Sequence, residues 1–226
     1  MPVVLILFTA GFVCGQSASV SFDETYGLDP LLHNGRYYTY HVPSDTKGSP
    51  FFNGPQFVQG SVHLRGLTYD DLSLKYDVYN QLLVLEYVIH SGGVKHIVIS
   101  EAWLESFKLG EAYFELISVS DSINQIYQVI GNGPSRVFYS WSKKRMLNSA
   151  HGAKNFVFSP SIRKAFLFSD YKFMNYKNNK SFVALFDPVK QALIKKHMGQ
   201  KKIKVRKASD QAMDELVSFC NILPSE

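Results

Sequence analysis

The chain has 226 residues, of which 46% are hydrophobic and 14% aromatic, a composition that supplies a packed core and excludes global disorder. Its formal charge is +5, but residues 17–140 carry 7 Lys or Arg against 13 Asp or Glu, whereas residues 141–226 carry 17 against 6. Lysines on solvated strand faces, or contact with an anionic surface, explain the basic C-terminal part more simply than nucleic-acid binding, so no nucleic-acid partner is expected.

The N-terminal residues have the pattern of a secretory signal. Residues 1–16 contain no charged side chain, and the apolar run of residues 3–13 is followed by small and polar residues. This order is typical of the apolar region and cleavage region of a signal peptide. The run is too short to cross a bilayer as a helix, which takes about 20 residues. We therefore expect residues 1–16 to be removed and the mature chain, without a transmembrane segment, to be exported to the periplasm or secreted.

The two cysteines bear on lipid anchoring and on disulfide formation. A bacterial lipoprotein signal has a small residue before the modified cysteine and usually a leucine three residues before it, but Val13 and Gly11 hold those positions relative to Cys14. We therefore expect soluble export rather than a lipid anchor. Cleavage near Gly15 leaves Cys220 as the only thiol, so no intramolecular disulfide is expected.

Alternation of apolar and polar residues with a period of two dominates residues 36–118 and is typical of β-strands. In residues 72–79 the apolar side chains share one face, while Ser73, Lys75 and Asp77 share the other, which indicates a sheet with one buried and one solvated face. The first set of predicted strands is residues 36–42, 58–65, 72–79, 82–90, 95–99, 107–109 and 113–117. The second set is residues 126–130, 135–142, 156–158, 165–168, 171–176 and 181–185.

Short turns separate successive strands, so neighbouring strands are predicted to pair as hairpins in an antiparallel meander. Helical patterns are confined to the C-terminal end. Asp187 and Pro188 predict the start of a helix and Gly199 its end. The predicted apolar side of this helix is Val189, Leu193 and Met198.

A second helix is predicted after a short strand at residues 203–205. Ser209 is its expected N-cap, and four apolar residues follow at helical spacing. They are Met213, Leu216, Val217 and Cys220. The sequence therefore predicts a mainly β fold, an antiparallel sandwich or half-open barrel formed by a single domain at residues 17–226, in which residues 187–226 form a helix–strand–helix close.

The stretch GSVHLRGLTYDDLSLKYDVYN at residues 60–80, followed by Leu82 and Val84, resembles a pattern that recurs in uncharacterised exported proteins of Bacteroidota. The apolar residues 182–186, the Lys-rich helix after them and the final DQAMDELV helix are similar to theirs too. This resemblance implies a strand-rich exported fold. It implies no activity, so no functional residue is carried over.

Linear motifs for catalysis are weak. Ser140–Lys143 and Ser161–Lys164 have the Ser-x-x-Lys spacing of acyl-enzymes of the penicillin-binding class. Both pairs lie in strand-like or turn-like segments, and the companion motifs of that class are absent from the sequence. We expect neither pair to be catalytic.

The seven histidines include no pair at the spacing of a helical metal site. His90 and His96 flank the turn at residues 91–93 and are the best candidate metal ligands, because they would face one another across a hairpin. Single surface histidines near a turn are far commoner than metal sites, so no metal or cofactor is expected. Cys220 is expected to be a buried structural thiol.

Acidic and aromatic residues occur together in residues 69–79, a combination that suits a sugar-binding or glycosidase-like groove. The residues are Asp70, Asp71, Asp77, Tyr69, Tyr76 and Tyr79. Because Asp77 and Lys75 share the solvated face, we prefer an ordinary surface with a cross-strand charge pair. The aromatic run in residues 36–41 is consistent with a buried strand or with an aromatic platform, and burial is the commoner case.

These observations favour a non-enzymatic exported module that binds a ligand, an envelope surface or another protein. One alternative is a hydrolase of carbohydrate or of a cell-envelope polymer, with acidic residues drawn from several strands. A cleft holding two carboxylates about 5 to 10 Å apart would favour that alternative. Another alternative is a carrier of an apolar ligand, which needs a strand-lined cavity.

Overall fold

The computed structural model describes residues 28–89, 92–120, 123–148 and 155–224. The predicted signal peptide, Cys14 and His90 lie outside these ranges. Within them the chain forms four helices and twelve strands. The helices are α1 (Pro30–His33), α2 (Asn179–Val183), α3 (Pro188–Gln200) and α4 (Asp210–Ile222). The strands are β1 (Val58–Leu64), β2 (Leu67–Asp77), β3 (Leu82–Val88), β4 (Val94–Val98), β5 (Leu104–Leu109), β6 (Ala112–Ser120), β7 (Ile123–Ile130), β8 (Arg136–Ser142), β9 (Arg145–Asn148), β10 (Asn155–Phe158), β11 (Ile162–Ser169) and β12 (Lys172–Tyr176).

Ten strands form one antiparallel sheet in the order β12-β11-β8-β7-β6-β5-β1-β2-β3-β4, and β9 and β10 form a separate hairpin. Strands β1 to β4 run outward as one meander. Strand β5 pairs with the free side of β1, and β5 to β8 then follow one another toward the opposite edge of the sheet. The edge strands β4 and β12 are not paired with each other, so the sheet is open. The predicted mainly β antiparallel fold is confirmed, as an open sheet rather than a closed barrel.

The inner face of the sheet, which carries Leu74 and Tyr76, holds the core. In the half formed by β1 to β6 it is covered by Leu32 of α1 and by Phe52, whose ring centroid lies 5.3 Å from that of Phe114. In the half formed by β7 to β12 it is covered by α2, α3 and α4. The core therefore follows one face along the whole sheet, as the period-two pattern predicts.

The outer face, which carries Lys75, has two distinct regions. Over β2 to β4 it is crossed by the chain that precedes β1. Over β7 to β12 it bears a cluster of aromatic rings, named here the outer aromatic patch. The patch consists of Tyr127, Phe138, Phe166, Phe168 and Phe173.

Residues 36–42 were predicted to be a strand, and that prediction is wrong. The segment follows the edge strand β4 through a single bridge between Tyr37 and Ile97, with hydrogen bonds from Tyr38 N to His96 O at 3.0 Å and from Val98 N to Arg36 O at 2.8 Å. It then leaves the edge and crosses the outer face. The side chains of Tyr37 and Tyr40 are therefore exposed rather than buried.

Residues 181–185 and 203–205 are not strands either. The first segment lies largely in α2, where the Asn178 side chain accepts a hydrogen bond from Ser181 N and the Ser181 side chain closes a capping box. Phe182 is fully buried beneath the helix. Residues 203–205 run as a turn that the Asn179 side chain fixes through Ile203 O and Val205 N. Strand β9 was not predicted.

The two long helices begin where the sequence predicts. Asp187 caps α3 by accepting a hydrogen bond from Lys190 N at 2.8 Å, but the helix continues through Gly199 and ends at Gln200. Its buried residues are Ile194 and Met198, and the predicted Val189 and Leu193 are exposed. No helix in the described ranges is long and apolar enough to cross a membrane.

Helix α4 has the predicted cap and apolar face. Ser209 Oγ accepts a hydrogen bond from Ala212 N at 3.2 Å. All four residues of the predicted stripe are buried, and they are Met213, Leu216, Val217 and Cys220. Burial raises the pKa of the Cys220 thiol to about 12, against the opposing effect of the Lys190 ammonium. The thiol is buried, as expected.

Candidate aromatic binding cleft

An open cleft of about 360 Å³ lies between the outer face of β2 to β4 and the chain that crosses it. The crossing segment contributes four aromatic side chains, which are Tyr38, Tyr40, Phe51 and Phe57. The sheet contributes Lys75, Val84 and His96. This cleft, named here the aromatic cleft, combines ring faces with a few polar groups, which is the usual composition of a ligand pocket.

Strand register assembles the floor of the aromatic cleft. Lys75 of β2 pairs with Val84 of β3, which pairs with Val98 of β4. One row along, Glu86 of β3 pairs with His96 of β4. Because residues two apart on a strand share a face, both rows lie on the outer face beneath the crossing segment.

The rings line the cleft as two stacked pairs. Tyr40 and Phe51 have centroids 6.1 Å apart and an interplanar angle of 20°. Phe57 and His96 have centroids 4.9 Å apart and an angle of 27°. Phe51 is buried and Tyr40 is 48% exposed, so in the first pair the ring surface open to a ligand is that of Tyr40.

Lys75 lies between the two pairs. Its ammonium nitrogen is 4.4 Å from the centroid of Phe51 and 3.9 Å from that of Phe57, within the range at which a ring face attracts a cation. Burial lowers the pKa of Lys75, while the Glu86 carboxylate acts in the opposite direction. The cleft therefore holds a partly desolvated amine in an aromatic setting.

Glu86 is held by its neighbours beside Lys75. Its Oε2 lies 2.9 Å from His96 Nε2, and its Oε1 accepts a hydrogen bond from the Ser73 hydroxyl at 3.1 Å. Both carboxylate oxygens thus have partners on the sheet. The carboxylate serves to orient the imidazole against Phe57.

A buried carboxylate anchors the crossing segment at one end of the cleft. Asp77 is fully buried, although it lies on the face that the sequence pattern predicts to be solvated. Its Oδ1 accepts hydrogen bonds from Tyr79 N and Asn80 N at 3.0 and 2.9 Å. Its Oδ2 accepts from Asn80 Nδ2 at 2.7 Å and from the Tyr38 hydroxyl at 2.9 Å. Burial and the nearby carboxylate both raise the pKa of Tyr38, so the hydroxyl stays protonated and able to donate.

Hydrogen bonds with Lys143 and Tyr76 hold residues 49–52 against the sheet. Lys143 Nζ donates to Ser49 O and Phe51 O at 2.7 and 2.8 Å, and Phe52 N donates to Tyr76 O at 2.8 Å. Burial lowers the pKa of Lys143, and Asp77 opposes that shift. Because neighbouring residues on an extended chain point to opposite faces, Phe51 enters the aromatic cleft while Phe52 enters the core.

The side chains of the Ser140–Lys143 pair have different hydrogen-bond partners. The Ser140 hydroxyl accepts a hydrogen bond from Gln125 Nε2 at 2.6 Å, while the Lys143 amine bonds to main-chain carbonyls of another segment. Ser161 and Lys164 are both exposed. The expectation that neither pair is catalytic stays a prediction.

The histidine and carboxylate candidates are also dispersed. Register places Glu86 opposite His96, and His90 lies outside the described residues. In the described ranges no group of three or more His, Cys, Asp or Glu side chains is arranged to hold a metal. Asp70 and Asp71 are exposed. The prediction that Asp77 lies on a solvated face is wrong, because Asp77 is buried and caps a turn.

A second depression, of about 340 Å³, lies beside the start of α3 and the end of α4 and holds two carboxylates, Asp170 and Asp187. Asp187 caps α3, and its Oδ2 lies 3.7 Å from Lys190 Nζ. Asp170 Oδ2 accepts a hydrogen bond from the Ser169 hydroxyl at 3.3 Å. Both carboxylates therefore have partners within the fold.

Sequence reasoning missed Phe51 and Phe57, which lie at the end of an irregular stretch without periodicity. The only local signal was aromatic density in residues 36–41, for which a platform was the less favoured interpretation. Comparisons with protein-family models, with curated proteins and with solved structures found no match to the chain. Its function is therefore argued from the geometry of the aromatic cleft.

Proposed function

We propose that the protein is an exported, non-enzymatic binding module whose aromatic cleft takes a saccharide. The observation that carries this proposal is the pair of stacked ring systems, Tyr40 with Phe51 and Phe57 with His96, on either side of one amine. A sugar ring presents an apolar C–H face and a polar edge. It can therefore stack on an aromatic side chain while its hydroxyl groups reach polar groups at the rim.

The two alternatives from the sequence fit the cleft less well. The described lining of the aromatic cleft contains no carboxylate, so it does not offer the pair that glycoside hydrolysis uses. An apolar ligand would leave the Lys75 ammonium without a polar contact, which opposes its binding. A binding module is thus the function best supported by these residues.

Replacing Tyr40 by alanine is expected to weaken saccharide binding by about tenfold or more, because a lost aromatic contact of about 1.4 kcal/mol corresponds to that factor. The test is calorimetric titration of the protein with a panel of neutral and acidic hexasaccharides. Tyr40 is 48% exposed, so its removal should leave the melting temperature almost unchanged.

The matched control is Tyr37→Ala. Tyr37 is 65% exposed, lies three residues away on the same segment and is not part of the lining. Its removal should leave affinity unchanged. Equal losses in both variants, or no binding of any saccharide by the unmodified protein, would contradict the proposal. Release of reducing sugar from a polymer would instead support the hydrolase.

A further inference from the structure

The Lys75 ammonium has contacts that leave its hydrogen-bonding capacity unused. Among the described residues it forms no hydrogen bond or ion pair, and its contacts are the rings of Phe51 and Phe57. An ammonium group has three donors, and ring faces attract its charge without replacing strong acceptors. Partial burial also removes part of its hydration, as the lowered pKa of this amine reflects.

The nearest carboxylate does not satisfy Lys75. Glu86 influences the amine through space, but its two oxygens are bound to His96 and Ser73. The other nearby carboxylate, Asp77, has four hydrogen-bond donors of its own. Among the described residues, the aromatic cleft therefore presents a positive charge without a hydrogen-bond acceptor.

We infer that the aromatic cleft selects acidic saccharides, in which a carboxylate or sulfate group pairs with Lys75 while the sugar ring stacks on the aromatic side chains. This inference rests on the saccharide-binding function proposed above and adds the charge of the ligand to it. An anion supplies the charge-assisted acceptor that the ammonium lacks, and such bonds are stronger than neutral ones. Because the amine is already partly desolvated by the fold, less hydration is lost when the anion binds.

The probes that test this inference come as pairs with similar rings and different charge. One pair is hexagalacturonate and its fully methyl-esterified form, which differ in the carboxylate. The other is a sulfated κ-carrageenan hexasaccharide and its desulfated form, which differ in the sulfate. The unmodified protein should bind the acidic member of at least one pair about tenfold more tightly than the neutral member, and the pair that shows the difference identifies the anion.

Lys75→Met should remove this preference. It should lower affinity for the acidic member about tenfold and affinity for the neutral member much less. Lys75→Gln keeps a polar side chain and should behave in the same way, which guards against a packing effect of methionine. The matched control is Lys95→Met, since Lys95 also lies over an aromatic ring, that of Tyr37, but outside the lining. The Lys95→Met variant should bind all four probes with the affinity of the unmodified protein.

The outcomes separate the two proposals. If both members of each pair bind equally to the unmodified protein and Tyr40→Ala still lowers the affinity for both, the cleft binds saccharides and the inference about charge is wrong. If Lys75→Met weakens acidic and neutral members alike, the lysine supports the shape of the cleft and the inference is again wrong. If none of the four probes binds, the saccharide-binding function fails and the inference fails with it.

Discussion

Replacing Leu216 by aspartate is expected to unfold most of the protein at physiological temperature. Leu216 is fully buried between α4 and the inner face of the sheet, in the cluster that also contains Ile194 of α3 and Phe182 of α2. Truncating a buried leucine to alanine costs about 2 to 5 kcal/mol. Aspartate adds the cost of burying an unpaired charge, and a domain is stable by only about 5 to 15 kcal/mol.

Urea denaturation followed by circular dichroism measures this effect. Lys207→Ala is the control, because Lys207 is exposed just before the same helix and its removal should change stability by less than about 0.5 kcal/mol. Truncation before Ser209 should give aggregated or degraded protein for the same reason. A soluble truncated protein with an unchanged melting temperature would show that α4 is not needed to close the core.

Replacing Asp77 by alanine is expected to cost at least about 1.5 to 3 kcal/mol, the contribution of a hydrogen bond to a charged group. Four donors lose their acceptor, including Tyr79 N and Asn80 N of the turn after β2 and the Tyr38 hydroxyl of the crossing segment. The turn and the crossing segment should loosen together. Saccharide binding should therefore weaken along with stability.

Two further variants test whether the lost hydrogen bonds of Asp77 cause this loss of stability. Asp77→Asn keeps one carbonyl acceptor and should cost less than Asp77→Ala. Asp70→Ala removes an exposed carboxylate from the same strand and should cost less than about 0.5 kcal/mol. Thermal denaturation of the three variants gives the comparison, and equal melting temperatures for Asp77→Ala and Asp70→Ala would contradict the anchoring role of Asp77.

The sheet was predictable from sequence because strands with one buried face impose a period of two. Residues 181–185 were misassigned because a short apolar run has no length over which a period can be judged. The local signal for the helix was its cap, where Asn178 and Ser181 bond to each other's main chain. In α3 the helix itself was predicted, but of its predicted apolar side only Met198 is buried, and Ile194 is the other residue that reaches the core.

The aromatic cleft was beyond local prediction because its parts are distant in the chain. The burial of Asp77 depends on Tyr38, 39 positions earlier, and the position of Phe51 depends on Lys143, 92 positions later. Alternation within β2 assigns Asp77 and Lys75 to the same face correctly. It cannot reveal that a non-periodic segment, which precedes β1 in the chain, covers that face.

Chemical-shift mapping tests most directly whether the aromatic cleft is the ligand site. Protein labelled with ¹⁵N, and with ¹³C in its aromatic rings, would be titrated with hexagalacturonate and with the sulfated κ-carrageenan hexasaccharide. We predict that one of them shifts the resonances of Tyr40, Phe57, Lys75 and His96 most strongly. Unchanged cleft resonances, with the strongest shifts at Phe166, Phe168 and Phe173 of the outer aromatic patch, would contradict this account.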